Sequence, residues 1–332
     1  MMELQLRTYT KSADIPDLPI TNVFYRKELF QVYECTPHYK PILIVVAAAK
    51  EKEDGKVLSA LLGVVHRGEN WRSLLRRCEV YGTGEYFTED ADFQEELFGM
   101  MLAELTNEAI KKAWMISFRN LEDPLFGYRE FRQQKYFSIK WMRVLNKFSL
   151  MKEIIETANH SRRRQIRKAL HSSCKIEEAT SREDINAFSI MLRRNYSSKV
   201  RRHFPSIRFF EEFYKKLSKE KMGSIYIVRY HEHIIGGSVV LYNKDRAYLI
   251  FNGGMNRTCK SKYPGVLSVW KALHEARARG CHDFEYIDAG LPFRTHGLRD
   301  FALRFGARPQ SSRRWFRLRI NWLNSLLTLI YR

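Results

Sequence analysis

Two runs of alternating and helical hydrophobic patterning, one in each half of the chain, carry most of what this sequence says. In the first half, MELQLRTYT sets Leu4, Leu6 and Thr8 on one face and predicts a strand, closed off by Pro16 and Pro19. VFYRKELFQVYECT puts Phe24, Leu29, Val32 and Tyr33 at helical spacing, an amphipathic helix. PILIVVAAAKEKEDGKVLSALLGVVHR reads as a hairpin, two apolar runs about a tip at Asp54-Gly55. RRCEVYGTGEYF predicts another strand. DADFQEELFGMMLAELTNEAIKKA predicts a helix, with acids in its first turn and Lys111 and Lys112 in its last, as the helix dipole favours. AWMISFRN and KWMRVLNKF read as two more strands.

The second half repeats that order at an offset of roughly 175 residues. SREDINAFSIMLRRNY and FPSIRFFEEFYKKLSKE are helical in pattern, the latter ending near Gly223. SIYIVRYHEHIIGGSVVLYNKDRAYLIFNGG follows as three β-branched, apolar runs, then KYPGVLSVWKALHEARARG as a helix with Pro264 near its start and Gly280 past its end. A strand over 283–288, a Gly-punctuated loop and a late strand, RRWFRLRI, complete the set. The pattern predicts a duplicated α/β fold, with residues 224–306 as a compact unit bearing one exposed cleft. The joint falls near KEIIETANHSRRRQIRKALHS, a polar, basic stretch between apolar ones.

Charge separates the halves. Residues 1–155 hold 22 Lys+Arg against 22 Asp+Glu, whereas residues 156–332 hold 35 against 15 and so carry the whole net charge of +20. An excess confined to one half implies an anionic partner for that half: nucleic acid, a phosphate-rich small substrate or an acidic membrane surface. The 45% hydrophobic content is enough for a core. Five scattered cysteines without a C-x-x-C argue against a disulfide framework or zinc knuckle and fit a reducing compartment. The N-terminal residues lack the apolar region of a secretory signal, and no run reaches the ~18 apolar residues of a membrane span. The expectation is a cytoplasmic protein.

Five stretches carry candidate chemistry. SRRRQIRKAL puts Arg162, Arg163, Arg164, Arg167 and Lys168 into seven positions; on a helix, Arg163, Arg164, Arg167 and Lys168 share one face and Ile166 and Leu170 another. It reads either as a phosphate-binding strip or as a solvated interdomain helix. RRNYSSKVRRHF sets Arg201 and Arg202 among other cations around Tyr196 and Phe204, a nucleotide-binding mixture of charge and rings or simply a charged loop. NRTCKSKYPGV brings Lys260, Lys262 and Tyr263 to a helix N-terminus, where free N–H groups attract anions, beside Asn252 at the third strand's end. DAGLPFRTHGLRDF places Asp288, Arg294, His296 and Arg304 after a strand's C-terminal end, where α/β sheets hold ligands. His296 suits proton transfer, or is a surface histidine. WFRLRINWLNSLLTLIYR, preceded by Arg313 and Arg314, is either an interfacial anchor making peripheral contact with the inner membrane face through residues 313–332, or a last strand and helix closing the core. No nucleophile triad is evident and no His/Cys/Asp cluster reads as a metal site, so any catalysis here works by positioning and charge.

The run from Arg162 to Gly306 resembles the Fem-type (FemAB-like) aminoacyl transferases and the GNAT-superfamily acyltransferases. The resemblance rests on IRKA at 166–169, FNGG at 251–254, KYPGVLSVWKALHEARARG, YIDAG at 286–290, and GLRDFALRFGA, which looks like the family's Gly-Leu-x-x-Phe-x-x-x-Phe-Gly signature. It implies two tandem GNAT-like domains (a mixed, largely antiparallel sheet with flanking helices), at residues 1–155 and 156–332, the second holding the active cleft. It also implies an N-acyl or aminoacyl transferase with acyl-CoA or aminoacyl-tRNA as donor, no metal, and an amine of a cell-envelope or peptidoglycan-related precursor as acceptor, so that the anionic substrate is tRNA, CoA or a nucleotide-linked precursor. Fem members carry a lysine two residues after the signature's first Phe. Leu303 stands there in this chain, with Arg304 beside it as the cation that could take the role. CKSKYPG replaces the usual GNAT pyrophosphate loop. The expected catalytic residues are Arg304, His296 and Arg294, and the expected substrate-binding residues are Lys262, Tyr263, Arg201, Arg202 and Asn252. The alternative is a non-catalytic tRNA-, nucleotide- or membrane-binding module on the same scaffold.

Overall fold

The computed structural model describes residues 3–49, 55–67, 75–150, 153–196 and 204–331. In chain order its first elements are β1 (Leu4–Tyr9), α1 (Lys27–Glu34), β2 (Tyr39–Ala48), β3 (Val57–His66), β4 (Arg77–Tyr81), β5 (Glu85–Tyr86), α2 (Ala91–Ile110), β6 (Met115–Arg119), α3 (Tyr128–Gln133) and β7 (Phe137–Lys147). There follow α4 (Ile154–Thr157), α5 (His160–Leu170), β8 (Cys174–Glu178), α6 (Arg182–Asn195), α7 (Ile207–Phe213), β9 (Gly223–Tyr230), β10 (His233–Asn243) and β11 (Arg246–Gly254). The chain ends with α8 (Pro264–Ala278), β12 (Asp283–Tyr286), α9 (Gly297–Leu303), β13 (Arg308–Leu318) and α10 (Asn321–Ile330). The alternating apolar runs became strands as expected. The pattern missed β8, whose CKIEE is too polar to stand out, and the helix α9 inside what reads as a loop.

The chain forms two α/β units, but not with the boundary the sequence suggests. Lys140 and the residues before it, together with Ser312 onward, form one unit; Trp141–Ser311 form the other. The expected division at 155/156 assigns each half its own last strand, and the structure exchanges them. In the first unit the strand order is β1-β2-β3-β4-β6-β13, with β13 antiparallel to β6 from Arg314↔Arg119 to Leu318↔Met115. Trp315 on β13 is wholly buried and stacks on Phe131, ring centroids 4.6 Å apart, which gives the exchange an apolar anchor.

In the second unit the order is β7-β12-β11-β10-β9-β8. β7 comes from the first half and pairs antiparallel with β12, from Val144↔Tyr286 to Lys147↔Asp283. A buried Arg143–Glu285 fork with bonds of 2.7 and 2.6 Å fixes that register, as does Asn146, which accepts from the Tyr286 hydroxyl at 3.0 Å. The core lies between this sheet and α8, around Val144, Ile166, Leu249, Val269, Leu273 and Phe305.

Two features of β11 open the sheet. Its parallel ladder with β12 stops at Leu249↔Tyr286, although β11 continues to Gly254. Opposite β10, Val239 pairs with Phe251 but Val240 pairs with Leu249, so Ile250 is an extra, bulged residue. A bulge bends its strand and ends regular pairing, here beside the mouth where the parallel strands part.

Candidate active site

Beyond that bulge lies a cavity of about 470 Å³ in the second unit, lined by β11 residues 252–254, the entry to α8, α5, the end of α6, and α9. Glycines set its floor. A Cβ on Gly254 would lie 2.6 Å from Gly265 N, and one on Gly236 would lie 2.6 Å from Pro264 Cβ. The FNGG and IIGG runs therefore let the first turn of α8 press onto the sheet. Tyr263 precedes that turn in the left-handed region, φ 46°, a conformation costly for a residue with a side chain and often found at ligand clamps. No side chain caps α8. Pro264 has no N–H, the Val266 and Leu267 N–H groups bond back to Tyr263 O, and Gly265 N–H has no acceptor within the helix.

Among the described residues three cations line the cavity, Arg162, Lys260 and Arg304, and none of the described lining residues is Asp, Glu, His or Cys. None of the three makes a salt bridge among the described residues. Arg162 is the unusual one, at 3% exposure. Its guanidinium lies over the rings of Phe301 and Phe305, 4.5 and 4.6 Å from their centroids. It donates to Gln165 Oε1 at 2.9 Å and Phe301 O at 3.3 Å, and its Nε has no partner. Burial, helped by the like charge of Arg304 and opposed by Tyr286, pushes its pKa down to about 10. The cation stays charged at neutral pH, but it lacks the anion that normally accompanies a buried charge.

Polar groups complete the wall. Ser268 Oγ donates to Asn252 Oδ1 at 3.2 Å, leaving the amide Nδ2 as the group Asn252 can offer the cavity. The Tyr196 hydroxyl donates to Asn252 O, and burial raises its pKa.

Among the residues expected from sequence, the structure brings Arg304, Tyr263 and Asn252 to this cavity. Arg304 lines it and the neighbouring Leu303 does not. Lys262 points elsewhere, its Nζ 4.2 Å from the Tyr230 ring centroid, and Lys260 is the lysine that reaches the wall. His296 and Arg294 are not in the lining. His296 sits half-buried against Gly290, and Arg294 is exposed on a loop whose Ala289, Leu291 and Arg294 carbonyls accept from the Arg299 guanidinium. Arg201 and Arg202 lie outside the described residues.

Arg162 is the residue that sequence reasoning placed wrongly, as one cation of a run. On α5 the buried residues are Arg162, Ile166 and Ala169, at i, i+4 and i+7, while Leu170 is exposed. An arginine in register with an apolar stripe was the available signal.

Residues 158–295 match the acetyltransferase (GNAT) domain family model. No curated protein matches the chain by sequence. Among solved structures, that of FemX has a TM-score of 0.65 at 11% identity, covering 98% of this chain and 100% of its own. The C-terminal domain of a putative lysylphosphatidylglycerol synthetase from Agrobacterium fabrum scores 0.55 at 10% identity, covering 92% and 89%. A tandem GNAT protein from the clavulanic acid biosynthesis pathway scores 0.54 at 10% identity, covering 96% and 99%. At such identities the shared property is the fold: two tandem GNAT-like α/β units. The match over residues 158–295 and the shared fold support a GNAT-fold acyltransferase.

Proposed function

We propose that the second unit transfers an acyl or aminoacyl group from a phosphate-bearing donor, acyl-CoA or aminoacyl-tRNA, to an amine of a cell-envelope or peptidoglycan-related precursor. The observation that carries this reading is Arg162, a buried cation without a carboxylate, opening onto a cavity whose other charges are also positive. A donor phosphate supplies the missing anion, shared among Arg162, Lys260 and the uncapped entry of α8. The FemX and lysylphosphatidylglycerol synthetase folds support an aminoacyl group and an envelope acceptor.

The reaction is aminolysis. The acceptor nitrogen attacks the donor carbonyl carbon, the carbonyl–sulfur or carbonyl–oxygen bond breaks, and the thiol or tRNA hydroxyl leaves with a proton released by the amine. Arg304 and the Asn252 amide stabilise the oxygen that becomes negative. The amine's proton passes to water or to the leaving group, and rate comes from holding the two reactants together.

Donors are tested by incubating the protein with an amine acceptor and reading release of free thiol from acyl-CoA or loss of charge from aminoacyl-tRNA. Arg304→Ala should lower kcat/KM by roughly 10²-fold; unchanged turnover removes Arg304 from the mechanism. None of the described lining residues is a carboxylate or imidazole, which favours the second reading, a binding module. Tight donor binding with no product for any amine would establish it.

A further inference from the structure

The C-terminal helix α10 is mounted the wrong way round for a soluble protein. Its sequence, NWLNSLLTLI, holds no charged residue. The side facing the first unit is partly polar: Asn324 is 3% exposed, accepts from Leu318 N–H at 2.8 Å and donates to Lys135 O at 2.9 Å. Thr328 Oγ1 leans on the Asn324 and Lys135 carbonyls, at 2.8 and 3.5 Å. The Tyr331 ring stacks on Phe137 just past the helix end, centroids 5.7 Å apart. The opposite side is Trp322, Leu326, Leu329 and Ile330, exposed by 72, 48, 65 and 62%. Those positions follow i, i+4, i+7 and i+8, one continuous stripe. The strand part of the core-closing alternative holds, since β13 buries Trp315 and Leu318, and Leu323 and Leu327 are half-buried, but the larger apolar stripe of α10 faces outward.

We infer that α10 is an interfacial anchor that seats the first unit on the surface of an anionic phospholipid bilayer, with Trp322, Leu326, Leu329 and Ile330 entering the headgroup–acyl boundary. Tryptophan with aliphatic neighbours on a short exposed helix suits that boundary, where one end of the indole is apolar and the other wet. Charge agrees. Of the arginines ahead of the helix, Arg313 donates to Ser138, Arg314 lies beside Glu79 and Arg317 donates to the Gln134 carbonyl, so these serve the fold. Arg319 and Lys135 are exposed at the base of α10 and make no salt bridge among the described residues. Both suit anionic headgroups. A second copy fits less well. Ten helical residues span about 15 Å and offer on the order of a few hundred Å², against about 800 Å² per partner in a stable dimer. Two-fold pairing would also set Arg319 and Lys135 near their own copies.

The test uses the whole protein with vesicles of phosphatidylcholine, alone or with about one-third phosphatidylglycerol, and reads co-sedimentation. Anionic vesicles should bind the protein. Trp322→Ser combined with Leu326→Ser should weaken binding at least about tenfold with an unchanged denaturant midpoint, because both side chains already meet water. Arg319→Ala should weaken it about fivefold on anionic vesicles and leave neutral ones unaffected. Equal binding by the double variant overturns the inference. So does a concentration-dependent dimer that the double variant abolishes while neither vesicle binds, which would make a second copy the occupant. Neither result bears on the donor cavity, whose activity is assayed with soluble donors.

Discussion

Glu79 in the first unit and Arg162 in the second are both buried charges, and the chain surrounds them in opposite ways. Glu79, at 7% exposure on β4, lies 3.2 Å from Arg119 Nη2, 3.3 Å from Arg77 Nε, 3.7 Å from Arg314 Nη2 and 3.8 Å from His66 Nε2. Burial alone would raise its carboxyl; Arg119, His66 and Arg77 outweigh that and hold it well below the usual range. The crossover helix of that unit is closed in the same spirit, since Asp90 accepts from the Asp92 and Phe93 N–H groups at its start. In the second unit Arg162 has no counter-ion among the described residues, and the helix α8 has no side-chain cap. The second unit also holds a completed buried pair, Arg143–Glu285, so the unmatched charge is a feature of the cavity and not of the whole unit.

That contrast can be broken from either side. The largest effect is expected from Glu79→Gln, which strands three arginines around a buried neutral amide and should cost about 3–5 kcal/mol in chemical denaturation. The pH dependence has a definite sign. A carboxylate with a depressed folded-state pKa contributes stability that is complete above its unfolded value near 4.3 and is lost as pH falls through the folded value. Acid unfolding of the wild type should follow that course, and Glu79→Gln should flatten it.

Arg162→Met should behave in the opposite way. It keeps packing volume over Phe301 and Phe305 and removes an unpaired charge, so stability should be unchanged or rise by about 1 kcal/mol, while donor binding falls about 10–100-fold, as loss of a charge-assisted contact implies. A loss of stability like that of Glu79→Gln would show that Arg162 is scaffold too. Gly254→Ala should cost about 1–3 kcal/mol and weaken donor binding as well, because its Cβ would push Gly265 N away from the sheet. The smallest effect, about 1 kcal/mol in thermal or chemical unfolding, is expected for Asp90→Ala. No matching loss is available at α8, which has no cap to remove.

The strands and most helices were legible because apolar alternation and the helix punctuation at Pro264 and Gly280 are local signals. The exchange of β7 and β13 was not, since pairing between residues 144–147 and 283–286 leaves no mark in either segment alone. The same limit applies at the site. Arg304, Tyr263 and Asn252 sit in or next to recognisable motifs, and the structure places them on the cavity. Lys260 and Lys262 are two residues apart on one turn, and only packing decides that Lys262 covers Tyr230 while Lys260 faces the opening. Arg162 required knowing which face of α5 is buried, and the cations beside it, Arg164, Arg167 and Lys168, drew attention to the solvent side instead.

The central claim is that the cavity is short of one anion and that the donor brings it. Equilibrium binding of an acyl-CoA and of an aminoacyl-tRNA to the wild type and to Arg162→Met, each at low and moderate salt, tests this most directly. At least one donor should bind the wild type, weaken as salt rises, and lose at least about tenfold affinity in the variant while the protein stays folded. Equal affinity of the two proteins for every donor that binds would contradict the account.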